Sequence, residues 1–96
     1  MEIDKFNGKN VELWKLKMED LLVNKEQWVA VNLGIKPTAM SQKDWDKVDR
    51  KARSMIRVFL SNSILLNVSR EYTTHKLWDK LGNLYKPRSL VNKLFL

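Results

Sequence analysis

Three separate stretches of this chain place large apolar residues at steps of three and four, and each stripe carries a tryptophan. Val11, Trp14, Met18, Leu21 and Leu22 mark the first. Trp45, Val48, Ala52, Met55, Ile56, Phe59 and Leu60 mark the second, and Leu77, Trp78, Leu81, Leu84 and Tyr85 the third. Such spacing gives a helix one apolar side, and no stretch sustains the two-residue alternation of a half-buried strand. The expected fold is all-α: a small bundle of about four to five helices in a single domain, residues 1–96. A chain of this length buries roughly 60–65% of its unfolded surface, enough for one modest core. Trp14, Trp45 and Trp78 are expected in that core. Trp28 is less clearly placed, and exposed aromatics favour interfaces, so it is a candidate self-association contact.

Local signals set the expected boundaries. Asn7-Gly8 is a turn dipeptide, Asn10 a reasonable N-cap, and Phe6 is placed to fold back on the first helical turn. Leu13 and Leu16 widen the first stripe, so that helix is expected to be covered on more than one side. Trp28, Val29 and Val31 suggest a short second helix, followed by a loop through Gly34 and Pro37. Ser41 with Asp44 is a near variant of the capping box. Helix propensity falls around Ser61-Asn62-Ser63; Ile64, Leu65, Leu66 and Val68 then pack in the same helix or after a kink. Thr73 or Thr74 caps the third striped helix, Gly82 weakens it unless close packing requires a glycine there, and Pro87 ends it. Ser89 opens a last apolar stretch, 89–96, expected as the start of a truncated helix. Its Leu90, Val91, Leu94 and Phe95 are further candidates for self-association.

Several function classes have little support. The chain has no cysteine and one histidine, His75, so a structural zinc site lacks ligands. His75 reads as a solvated surface residue, and no nucleophile, base and orienting acid group together. The three glycines are isolated, which leaves no phosphate-cradling loop. No catalytic, cofactor or metal residues are assigned, and no small-molecule substrate or cofactor is expected. No segment has the ~18 consecutive apolar residues of a membrane span, and the N-terminus lacks the apolar run of a secretory signal. The expectation is a cytoplasmic, non-enzymatic protein with no membrane partner.

The formal charge of +7 makes weak attraction to RNA or DNA plausible. Lys47, Arg50, Lys51, Arg53 and Arg57 share one helix and form a possible nucleic-acid face. Asp46 precedes Arg50 by four residues and Asp49 precedes Arg53 by four, the favourable order for intrahelical ion pairs. A solvated, salt-bridged face is therefore the preferred reading over an RNA groove.

Taken in order, a set of short motifs resembles the N-terminal, capsid-like part of a copia-type retrotransposon Gag polyprotein. Phe6, Gly8, Asn10 and Trp14 match its opening pattern, with Val11 where an aromatic is usual. Trp45 precedes Asp49-Arg50-Lys51-Ala52; Leu77, Trp78, Asp79 and Leu81 form the Leu-Trp-Asp-x-Leu helix, with Tyr85 after it; and Ser89-Leu90-Val91-Asn92-Lys93-Leu94 closes the set. The resemblance implies a capsid-like helical fold whose copies associate into particles packaging the element's RNA. The partner it implies is the chain itself, as a homo-oligomer. In the family a Cys-His zinc knuckle usually follows downstream; with no cysteine, these 96 residues are not expected to include it. Two alternatives stand beside it: a basic helical nucleic-acid-binding module, and a domesticated Gag-derived protein–protein adaptor.

Overall fold

Each apolar stripe forms a helix and turns most of that stripe inward; Leu84, at the end of the third, is exposed instead. The computed structural model describes residues 3–85, where α1 (Val11–Asn24), α2 (Trp28–Asn32), α3 (Gln42–Val58), α4 (Asn62–Asn67) and α5 (Thr74–Leu84) follow in order. The described residues contain no sheet, just one isolated bridge between Phe6 and Leu60. The fold is all-α. The stretch after Ser89, with Leu90, Val91, Leu94 and Phe95, and Pro87 before it, lie outside the described residues.

The core is assembled from one side of each helix. Val11, Trp14, Met18 and Leu22 come from α1, Ala30 and Val31 from α2, and Trp45, Ala52 and Ile56 from α3. Ile64 of α4 and Leu77 and Leu81 of α5 complete it, with Phe6, Leu60 and Val68 from the connections. Burying a large apolar side chain is worth ~1.5–3 kcal/mol, so these residues supply the main drive to fold. Trp78 sits at the margin of this core, partly buried and packed against it.

Two helix starts follow the cap signals. Ser41 Oγ accepts the Asp44 N–H at 3.1 Å, and Thr73 Oγ1 accepts the Lys76 N–H at 3.3 Å. Of the two candidate threonines, Thr73 is the cap and Thr74 is buried. Asn10 departs from its expected role: it holds the N-cap position of α1, yet its side chain caps nothing. It is instead a left-handed backbone position, φ 57°, a conformation asparagine tolerates better than most residues. The turn before it is closed by Asn7 Oδ1, which accepts the Lys9 N–H at 3.1 Å.

The dip in propensity at Ser61 marks a true break, because the backbone there is used elsewhere. The Phe6 N–H donates to the Phe59 carbonyl (2.7 Å), and the Ser61 N–H donates to the Phe6 carbonyl (2.9 Å). The N-terminal segment thereby occupies groups freed where α3 ends, and α4 begins as a separate helix.

α1 ends in a paired arrangement in which the Glu26 N–H reaches the Val23 carbonyl and the Gln27 N–H reaches the Leu22 carbonyl, 3.0 and 2.8 Å. That motif places Glu26 at φ 58°, a position that favours glycine and strains other side chains. The acid also sits at the negative end of the helix dipole. Glu26→Gly is therefore expected to stabilise the chain by about 0.5–1 kcal/mol in urea unfolding. A loss of stability would show that this turn is not formed in solution.

Candidate functional site

The residues of the motif set converge on packing. Phe6 lies 5.3 Å from Trp14 and 5.2 Å edge-on from Tyr85, ring centre to ring centre. Trp14 approaches Trp78 at 6.0 Å, and Trp78 meets Trp28 edge-on at 5.4 Å. A continuous aromatic ladder thus runs Tyr85, Phe6, Trp14, Trp78, Trp28, in geometries that add ~0.5–1.5 kcal/mol per pair to simple burial. Trp28, read from sequence as a candidate interface residue, is half-buried and forms the last rung of this ladder. Gly8 stands beside it at φ 98°; a Cβ there would meet Ile64 and Tyr85 at 3.6 Å. Trp14 holds its place by shape alone, since its buried Nε1 finds no acceptor among the described residues.

Around Trp78 the packing acquires charge. Lys15 Nζ sits 4.8 Å from the Trp78 ring centre and next to Gly82, where a Cβ would come within 2.7 Å of that nitrogen. Gly82 thus leaves room for the lysine, the close approach under which a glycine in this helix has a use. Burial pushes the Lys15 ammonium below the usual lysine range, and Asp79 pulls it partly back. Asp79 itself is largely exposed and faces His75 Nε2 at 3.3 Å.

His75 is not the freely solvated residue expected. Its Nδ1 donates to the Val31 carbonyl at 2.7 Å, tying α5 to α2. Its ring lies over Gly34, within 2.8 Å of where a Cβ would stand, at a backbone position of φ 70°. Glycine is required there on both counts.

The basic face of α3 is divided by structure. Arg53 pairs with Asp49 at 2.7 Å and also donates to the Tyr72 carbonyl, while Arg57 donates to the Glu71 carbonyl at 3.2 Å. Those two arginines hold the α4–α5 connection. The expected Asp49–Arg53 pair is present; an Asp46–Arg50 pair is not formed, and Asp46 instead accepts from Gln42 at 2.8 Å. Lys47, Arg50 and Lys51 remain exposed on the outer side, joined there by Lys43.

Asp49 carries a role that periodicity does not reveal. Its Oδ1 accepts the Thr74 N–H at 3.0 Å, and its backbone carbonyl accepts Thr74 Oγ1 at 2.6 Å. Thr74 is fully buried, so this clasp satisfies polar groups that water cannot reach. The sequence signal was faint: a carboxylate on the side of α3 next to its apolar stripe, and a threonine just inside the start of α5. The outer side of α1 gives a further correction. Among the described residues no other element covers Leu13 and Leu16, which stand exposed.

Among the described residues no group of three His, Asp or Glu side chains could hold a metal ion. No described helix is long and apolar enough to cross a membrane. Comparison with known proteins gives a consistent picture. A family model described as the gag-polypeptide of LTR copia-type matches residues 18–96. The retrovirus-related Pol polyprotein from transposon TNT 1-94 of Nicotiana tabacum is 36% identical over 97 residues, covering 99% of this chain. The chain spans 7% of that relative's length. No solved structure matches it.

Asp49→Ala removes the Thr74 amide partner and leaves Arg53 without its carboxylate, at an expected cost of about 2–3 kcal/mol. Asp46→Ala, on the exposed side of the same helix, should stay within about 0.5 kcal/mol of the parent. Equal urea midpoints for the two variants would contradict the clasp.

Proposed function

The chain belongs to the gag-polypeptide family of copia-type LTR elements, and from that premise we propose that it is a structural, non-enzymatic Gag region that associates with itself. In this reading, many copies join in the cytoplasm into a particle enclosing the element's RNA. The observation that carries it is the family match over residues 18–96, on a chain whose described part is a small all-α globule. The distribution of side chains supports it. Phe6, Trp14, Trp45, Leu77 and Leu81 are consumed by the core, while large apolar residues on α1 face outward. Work done by such a molecule falls to its outer surfaces, since among the described residues no convergent set of perturbed titratable groups is grouped in a cleft. The activities of the full-length tobacco relative are that protein's own.

Light-scattering mass of nucleic-acid-free protein across a wide concentration series tests the reading. Growth beyond the monomer with concentration is expected. A strict monomer throughout would contradict it.

A second reading rests on one observation, the exposed Lys47, Arg50 and Lys51 left over once Arg53 and Arg57 are engaged. This remnant supports weak, sequence-independent contact with RNA phosphates. Its affinity should fall steeply with salt, and reversing these three charges should flatten that dependence by about one counterion per lost phosphate contact. An unchanged salt slope in the reversed variant would rule the face out.

A further inference from the structure

α1 has two apolar sides, and among the described residues just one of them packs against the rest of the chain. Val11, Trp14, Met18 and Leu22 face the core, whereas Leu13, Leu16 and Val23 on the opposite side are 46, 58 and 53% exposed. Single exposed leucines are unremarkable on a protein surface, but these have a register. With exposed Asp20 they fall at 13, 16, 20 and 23, steps of three, four and three. That is the a-d-a-d spacing of a coiled-coil seam, with Leu13 and Asp20 at a, and Leu16 and Val23 at d.

The flanks identify what covers the seam. Glu12 and Glu19 fall at the g positions along one edge, and Lys17 and Asn24 at the e positions along the other. In a parallel pair, each g residue faces the e residue five places further along the other helix. Glu12 of one copy then meets Lys17 of the second copy, and the two-fold axis repeats the contact. In an antiparallel pair like edges meet, which sets acid against acid. Within one chain, Glu12 and Lys17 lie on opposite edges, and neither takes an ion-pair partner among the described residues.

We propose that the outward face of α1 is a docking surface for α1 of a second copy of this chain, in a parallel two-fold seam with Glu12 facing Lys17 across it. This inference rests on the self-association reading above and gives it a surface. Asp20 at an a position faces the same residue of the second copy, so two carboxylates repel at that one point and weaken the seam. With α1 only 14 residues long, the pairing is short and readily reversible.

Sedimentation of the whole chain at low salt tests this. The parent should show a monomer–dimer equilibrium. Leu16→Glu should be monomeric under the same conditions with unchanged thermal melting, because that side chain is exposed. Asp20→Leu should associate more tightly. Glu12→Lys and Lys17→Glu should each self-associate more weakly, and mixing the two should restore association, since each copy then supplies the charge the other lacks. A parent that associates equally well as Leu16→Glu, or single-charge variants whose mixture gains nothing, would overturn the α1 seam and leave self-association standing. A parent that stays monomeric at every concentration would overturn both.

Discussion

The structure depends on one buried phenylalanine. Phe6 is 2% exposed, and it joins parts of the chain that share no local sequence. Its backbone bridges the corner between α3 and α4, and its ring contacts Trp14 of α1 and Tyr85 at the end of α5. Groups freed where one helix ends must find partners, and the N-terminal segment supplies them. The same contact fixes the place of the aromatic ladder, from which α5 and α2 take their positions. The segment from Phe6 to Trp14 is thus a long-range closure, with Gly8 and Asn10 bending the chain into it.

A second tie runs between α3 and the start of α5. Thr74 is buried against Asp49, and Arg53 and Arg57 hold the carbonyls of Tyr72 and Glu71 just ahead of it. Hydrogen bonds from charged groups are worth more than neutral ones, and an unpaired buried donor costs the full loss of its hydration. The connection before α5 is therefore held by side chains of α3 rather than by apolar packing alone. This division of labour splits the basic helix: its C-terminal arginines are internal fasteners, while Lys47, Arg50 and Lys51 face the solvent.

How much of this could be read from sequence follows from the range of each signal. The three stripes, the short helix at Trp28, the Ser41 cap and the buried places of Trp14 and Trp45 are all local, set by neighbours within one or two turns. The all-α class followed from them. The errors arose where the deciding partner is distant. Asn10 looked like a cap because its type fits; its left-handed backbone answers to the turn that delivers Phe6. His75 looked solvated because its own helix begins in polar residues, and its partner is the Val31 carbonyl 44 positions away. Arg53 and Arg57 read as a surface stripe because carbonyl acceptors in a loop leave no trace in side-chain pattern. Leu13 and Leu16 read as a covered face, since periodicity shows that a face is apolar but not what lies against it.

The motif residues among those described build the globule, and the N-terminal segment is held as part of it. If the N-terminal segment belongs to that globule, it must open with it. Amide hydrogen exchange on dilute protein measures this directly, residue by residue. The Phe6 and Ser61 amides, which hold the bridge, should be protected to the same opening free energy as those of Leu77 and Leu81 in α5. Rapid exchange at Phe6 and Ser61 beside a protected α5 would contradict this and mean that the helices hold together without the N-terminal closure.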